Sequence, residues 1–541
     1  MADRAEDMAD VIVVGFGAAG ACAALEAAEA GADVLVLDRF DGGGASAVSG
    51  GVVYAGGGTD QQRAAGVADT VEDMYAYLEL EVGDVVSAET LRAFCAGSAD
   101  MIRWLERHGV PFEGSLCPVK TSYPNDDHYL YYSGSECSGL FRGVARPAPR
   151  GHRAKGRGTS GTVLFGRLAA AARRRGVRVL PRTRALRLVT ADGDAVTGVV
   201  VATLRDAPRR VRTAHRLLAR YATKPGLYVP VLRKALHRRV VALERRYARE
   251  VTLSARRGVV LAAGGFVADR EMLRRHAPAY RGGLPLGTPA DDGSGIRLGT
   301  EVGAATAELD RVSAWRFLTP PSAFLGGVLV DAAGRRVIDE SRYGAAVGEA
   351  LITRHGGRGW LLVDAPIVRA ARRTARGESQ WFQWLQALYL LRRGRVSDRT
   401  LAGVARRAGV DPDGLVATVT AHNEAAATGA VDPAGKPAEF VRPLTTPPFS
   451  LIDVSIRPNV GYPCPMLTLG GLVVDEGTGQ VRDTEDSTIP GLYAAGRSAV
   501  GICSRAYVSG LSLADCVFSG RRAGAHSARY SRPELVEKSP Q

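Results

Sequence analysis

Three glycines spaced Gly15-x-Gly17-x-x-Gly20 follow directly on four β-branched residues, Val11 to Val14. A turn of this kind brings bare backbone against a phosphate. The first glycine permits the tight turn, the second lets the backbone approach a pyrophosphate, and the third lets helix and strand pack closely. Free N–H groups at the start of the following helix then face the phosphates. Asp38 completes the set, because a carboxylate at that distance can bind ribose hydroxyls. The elements that must position these groups are legible around them. Val11–Val14 reads as a buried parallel strand, Ala21 to Ala30 as a helix ended by Gly31, and Asp33 to Asp38 as a second strand. Together they form one βαβ unit for a dinucleotide. A second match, Gly156-x-Gly158-x-x-Gly161, follows a basic Pro- and Gly-rich loop and no strand. It reads as a loop leading into a helix over 163–175.

The chain of 541 residues has room for two or more domains, and its 46% hydrophobic content permits large cores. Seven cysteines show no metal spacing, and nine histidines form no metal-binding cluster, so no metal is expected. The scattered cysteines argue for a reducing compartment. The first seven residues are acidic rather than basic and do not read as a secretory signal. No stretch of 18 uncharged apolar residues occurs, so no spanning helix is predicted and a cytoplasmic protein is expected.

The formal net charge of +14 is unevenly spread. Residues 205–257 hold 16 Lys or Arg against 3 Asp or Glu, which accounts for nearly all of it. Apolar and basic residues interleave there at helical spacing. One reading is a solvated helical hairpin inserted into a sheet. The other is a peripheral membrane contact, because basic amphipathic helices bind anionic lipid surfaces. No recognition fold accompanies the charge, so nucleic acid is not expected as a partner.

Further along, short strands are predicted near 177–180, 186–189 and 196–201, with a turn at 191–194. Gly258 to Phe266 reads as a strand returning to the nucleotide sheet. Residues 1–274 and 448–541 are expected to form the nucleotide domain, with 275–447 as a second domain between them. Lys538–Gln541 reads as a frayed tail.

Four further segments carry a resemblance. They are Asp41-Gly-Gly-Gly-Ala-Ser46-Ala-Val-Ser49-Gly50-Gly51, Leu261-Ala-Ala263-Gly264-Gly265-Phe266, the pair Leu401 to Asn423, and Thr468-Leu-Gly-Gly with Ile489-Pro-Gly-Leu-Tyr-Ala-Ala-Gly496. With the first motif they resemble the fumarate reductase and 3-ketosteroid dehydrogenase flavoprotein superfamily over nearly the whole chain, the basic segment excepted. The resemblance implies an α/β fold, a doubly wound Rossmann-like FAD-binding domain with an inserted α+β cap, and a site between the two. It implies FAD contacts at Gly15, Gly17, Ala18, Ala19, Gly20, Asp38 and Arg39. It adds Ser46, Ser49, Gly50, Gly51, Ala263, Gly264, Gly265 and Gly496. Ser46 and Ser49 stand where some members carry a flavin-linking histidine, so the FAD is expected to be noncovalent. A helix over 511–525 would aim its N-terminus, at Ser512 and Leu513, toward the flavin, where a positive helix end favours the anionic reduced ring.

Fumarate reductases hold a dicarboxylate with a His and Arg cluster. This chain has Ala314-Trp315-Arg316-Phe317 before the cap and lacks the histidines. Tyr507-Val-Ser509-Gly510 instead resembles the segment before the flavin helix in 3-ketosteroid Δ4-(5α)-dehydrogenases. Asp339-Glu-Ser-Arg-Tyr343 resembles the segment that supplies a second tyrosine. The resemblance implies Ser509 as proton acceptor, Tyr343 and Tyr507 as its relay, and the Gly510 N–H as a carbonyl donor, with roles exchangeable among them. The implied partners are a steroid or similar apolar ketone and an external electron acceptor. Three rivals stay open: a Δ1-dehydrogenase, a flavin reductase of an activated alkene, and a flavin-bearing, lipid-associated binding protein. Tyr123, Tyr129, Tyr131 and Tyr132 read as a pocket wall or as core packing and are left outside the catalytic set.

Overall fold

The computed structural model describes residues 7–191, 195–224, 226–280 and 282–531. Residues 192–194 of the turn expected at 191–194 and the tail at 538–541 lie outside the described residues. Strand β1 (Met8–Val14) is buried on both faces through Val11, Ile12 and Val13, which is why its apolar run does not alternate. Helix α1 (Ala18–Glu29) leads from it to β2 (Val34–Asp38), and β1 and β2 pair in parallel from Val11↔Val34 to Val14↔Leu37. Helix α2 (Gly161–Arg174) precedes β3 (Arg178–Pro181), which extends the sheet beyond β2. Strands β4 (Thr183–Thr190) and β5 (Val196–Thr203) form an antiparallel pair.

The basic segment then folds as two helices, α3 (Arg209–Thr223) and α4 (Pro230–Tyr247). Strand β6 follows as Arg249–Leu261, beginning well before the expected Gly258. Its first half pairs antiparallel with β5, with Leu253 and Ala255 buried between exposed neighbours. Its second half lies parallel to β1. The charged, alternating first half concealed a strand that is apolar on one face only. After the cap, β7 (Gln480–Arg482) and β8 (Thr488–Ala494) complete the sheet in the order β7-β8-β6-β1-β2-β3. The C-terminal helix α5 (Leu511–Arg529) packs on α1.

The cap is built on an antiparallel sheet of Val328–Val330, Trp360–Val363, Phe449–Asp453 and Arg395–Asp398, covered by helices around a separate apolar core. Phe449–Asp453 is a central strand of that sheet, so the cap's pairing runs past residue 447. The helices Leu401–Ala408 and Pro412–Thr428 stand where the helix pair was expected.

The α1–α5 contact is made of small residues. A Cβ on Gly520 would stand 2.5 Å from the Ala19 carbonyl oxygen, and one on Gly524 2.2 Å from that of Ala23. Gly524→Val therefore forces the two helices apart. It is expected to cost about 1–3 kcal/mol, the range for overpacking a core, read by urea unfolding.

Candidate active site

One cleft of about 970 Å³ runs between the sheet's C-terminal edge and the cap. Gly15, Gly17, Ala18 and Ala19 form its floor at the first turn, with Asp38 at the end of β2 and Arg39 after it. Ser46, Ser49, Gly50 and Gly51 line it from the loop after β2, Ala263 and Gly264 from the end of β6, and Ser512 and Leu513 from α5. Gly20, Gly265 and Gly496 stand behind the wall instead. A Cβ on them would meet Gly15 O at 1.9 Å, Thr468 Oγ1 at 2.2 Å and the Ala19 Cβ at 2.8 Å. Their contribution is to let the wall close.

Asp38 accepts from three backbone amides, Phe16 at 3.0 Å, Phe40 at 2.8 Å and Gly42 at 3.1 Å. It ties two cleft loops together and keeps an acceptor lone pair for a ribose hydroxyl. Burial raises its carboxyl above the usual range, against those three bonds. Arg39 lines the cleft and also reaches across to the basic hairpin. Its guanidinium bonds Glu244 through two nitrogens at 3.1 and 2.9 Å and Asp292 at 3.0 Å. Glu244 belongs to α4, so this bidentate pair fastens the basic hairpin over the cleft. The hairpin is solvated on its outer side only.

These surroundings fit FAD. The helices α1 and α5 both begin at the cleft with no side-chain cap and no acidic residue in the first turn. Each presents a positive end, suited to the pyrophosphate at one place and to the flavin ring at the other. Arg497 lines the cleft between them. Its Nη2 bonds Asp291 at 2.6 Å, while its buried Nη1 has no partner among the described residues.

The other end of the cleft is aromatic. The Ser509 hydroxyl, on the cleft wall, lies 3.0 Å from the buried Tyr131 hydroxyl. The Tyr343 and Tyr507 rings lie 6.2 Å apart, and Tyr507 stacks on Trp315 at 5.1 Å. Phe317 packs on Tyr343 at 5.6 Å. Burial pushes the phenols of Tyr131, Tyr343 and Tyr507 up, and neighbouring phenols add to this for Tyr343, while the Ser509 hydroxyl acts in the opposite direction on Tyr131 and Tyr343. All three are therefore neutral hydrogen-bond donors at neutral pH.

Each group is held by its own element. Tyr131 sits on Leu130–Tyr131, which pairs with Gly151–Arg153, which pairs in turn with Val52–Tyr54. Tyr54 N donates to Gly510 O at 3.1 Å, and Gly510 has φ +94°, where a Cβ would lie 2.7 Å from Tyr54 N. Ser509 N donates to Ser133 O at 3.3 Å. Tyr343 N donates to Ser135 Oγ at 3.1 Å. Its loop is fixed by Glu340, buried against Lys436 at 2.7 Å and Arg336 at 2.9 Å.

The structure thus brings Tyr343, Tyr507, Ser509 and Gly510 together, and adds Tyr131, Trp315 and Phe317. Tyr131 was indistinguishable from its neighbouring tyrosines in sequence. Its strand register alone points it at Ser509. Arg316 is fully buried outside the cleft, donating to the carbonyls of Tyr462 and Ser455 at 3.2 Å each. No histidine is among the described residues that line the cleft.

A doubly wound sheet, a phosphate-binding turn and a cap closing over both define a flavoprotein dehydrogenase or reductase architecture. The chain belongs to the FAD binding domain family, which matches residues 10–510. It is 37% identical over 501 residues to a 3-oxo-5-alpha-steroid 4-dehydrogenase of Comamonas testosteroni, covering 91% of this chain and 92% of the relative. It is 26% identical over 531 residues to a probable fumarate reductase of Shewanella frigidimarina, covering 96% of this chain and 75% of that one. Among solved structures it matches the 3-ketosteroid-delta4-(5alpha)-dehydrogenase of Rhodococcus jostii RHA1 in complex with 4-androstene-3,17-dione. The TM-score is 0.80 at 32% identity, over 96% of this chain and 97% of the other.

The strand behind Tyr131 carries a pH-sensitive group. His152 is buried, with Nε2 2.8 Å from the Thr59 hydroxyl, and burial lowers its pKa to about 4. The folded state resists the proton that the unfolded chain accepts near pH 6.5. Stability is therefore complete above pH 6.5 and falls as pH drops toward 4, by about 3 kcal/mol from this group. His152→Gln is expected to flatten the fall in melting temperature across that window, measured by calorimetry at pH 7, 5.5 and 4.

Proposed function

We propose that this chain is an FAD-dependent dehydrogenase that desaturates the 4,5 bond of a 3-oxo-5α-steroid. The observation that carries the reading is the buried Ser509–Tyr131 pair, flanked by Tyr343 and Tyr507 at the uncapped start of α5. The named activities of the Comamonas and Rhodococcus relatives agree with it. Bound FAD supplies the two-electron acceptor. The chain's own residues handle the proton and the oxygen.

A 3-oxo group acidifies the proton on carbon 4, and a donor at the carbonyl oxygen stabilises the enolate. The Gly510 N–H is the donor. A serine hydroxyl is a weak base unless its own proton can leave as the new one arrives. Ser509 therefore takes the carbon-4 proton while passing its own to the Tyr131 hydroxyl 3.0 Å away. Tyr131 releases its own proton in turn, and Tyr343 and Tyr507 extend this relay to solvent, so that each hydroxyl ends neutral. Trp315 and Phe317 supply the flat apolar wall that a steroid ring system needs. The reduced protein returns to its starting state by giving its electrons to an external acceptor.

Anaerobic titration of the yellow protein with 5α-androstane-3,17-dione is expected to bleach the flavin and yield a 4-ene product. A 1-ene product would reassign the bond. No bleaching with FAD intact would favour a reductase or a binding protein. Ser509→Ala and Tyr131→Phe are each expected to lower kcat roughly 10²- to 10⁴-fold, the usual contribution of proton-transfer groups, with flavin content unchanged.

The rim of the cleft suits a membrane as the steroid's source. No helix among the described residues is long and apolar enough to cross one. At the rim, however, Tyr228 of the hairpin tip and Phe382 of the cap line the opening. Beside them Val231 is 81% and Trp381 70% exposed, and Lys234, also exposed, follows Val231 on the same helix. We propose that this rim rests on an anionic bilayer. Cosedimentation with phosphatidylglycerol vesicles is expected, reduced at least tenfold in a Val231→Asp, Trp381→Asp double variant. Equal sedimentation of the two proteins would overturn the contact.

A further inference from the structure

Most of the net charge sits on the α3–α4 hairpin, and its placement over the cleft gives part of that charge a specific use. Arg216, Ala219, Arg220, Thr223 and Lys224 all line the cleft. They recur at the spacing of a single helix stripe. Other cations of the hairpin, such as Arg209, Arg238 and Arg245, do not line the cleft.

The stripe lies at a definable place along the cofactor groove. Asp38 marks the ribose of the adenosine half by its position at the end of β2. The hairpin sits on the next two residues. Phe40 packs in a small cluster with Ala219 and Val240, and Arg39 bonds Glu244. His215 adds a second bond to Glu244 at 3.1 Å. From the cap side, Arg233 donates to the carbonyls of Pro285 and Gly287 at 3.1 and 3.2 Å. The hairpin is thus docked at several points and held against the adenosine end.

The cations of the stripe have no carboxylate partner among the described residues. Glu244, the acid that α4 could offer, is already taken by Arg39 and His215. Lys224 reaches only the Thr159 hydroxyl, at 3.4 Å, and burial lowers its pKa. The carboxylates of the groove are engaged elsewhere, Asp38 by backbone amides, Asp41 by Arg182 and Asp291 by Arg497. The stripe therefore suits an anion from outside the chain, and the cofactor's pyrophosphate with its AMP half is the anionic part of FAD.

We propose that the α3–α4 hairpin is a cofactor clasp, in which Arg216, Arg220 and Lys224 close over the AMP half of FAD and slow its escape. This role concerns the cofactor and stands whatever the substrate.

The test is FAD release from the holoprotein on dilution, followed by the recovery of free-flavin fluorescence. An Arg216→Gln, Arg220→Gln, Lys224→Gln triple variant is expected to release FAD at least tenfold faster at low salt. Release from the native protein is expected to accelerate with salt, and that dependence to shrink in the variant, because a phosphate–cation attraction is screened. Release within twofold of native at both salt levels, from a variant with a native melting curve, would overturn the clasp. Should the variant fold poorly, hydrogen exchange on the native protein decides. FAD must then slow exchange across 209–247 relative to the deflavinated protein, and equal exchange would sink the proposal. If the triple variant keeps its FAD but loses vesicle binding, the stripe serves lipid headgroups and the clasp is wrong.

Discussion

The site depends on two helices starting at the same place. Helix α1 begins at the phosphate turn and α5 almost five hundred residues later, yet both open onto one cleft without a cap or a first-turn acid. Bringing two positive helix ends together is unfavourable unless an anionic group shares them. The approach is enforced by shape. Gly520 and Gly524 admit the backbone of Ala19 and Ala23, so no side chain holds the helices apart. Everything attached to the start of α5, including Ser509 and Gly510, is thereby placed over the same groove that the first turn defines.

Around that junction the protein uses burial to set its chemistry. The hydroxyl cluster contains no histidine or carboxylate, and its phenols are raised by desolvation rather than tuned toward neutrality. Such groups suit a reaction that stabilises an enolate by hydrogen bonds and moves a proton along a chain. They are ill suited to gripping a charged substrate. The buried ion group of Arg336, Glu340, Lys436 and Asp432 in the cap does no chemistry. It costs desolvation, and what it provides is a fixed loop leading to Tyr343.

The basic segment shows how misleading composition is when read without placement. Its charge suggested a surface for lipid or solvent. Its fold gives it two sides, one docked through Arg39 and Glu244 onto the nucleotide groove and one exposed. Arg39 and Glu244 are over two hundred residues apart, and neither marks the other in sequence.

Much of the architecture was legible because local chemistry dictates it. The glycine turn, the apolar run before it and Asp38 specify a nucleotide-binding βαβ unit in any context, since the phosphate needs bare backbone and a helix start. Tyr507, Ser509 and Gly510 were singled out in sequence by a resemblance, and the structure gathers them at the start of α5. What only the tertiary structure decided is what depends on register and on contacts between distant segments. Tyr131 faces Ser509 because a short strand pairs with Gly151–Arg153, and its neighbours Tyr129 and Tyr132 carry the same chemistry without that position. The early start of β6 was hidden because a strand apolar on one face and charged on the other looks like a basic loop. Sequence fixes which groups a residue can offer, while the packing of distant segments fixes which of them meet.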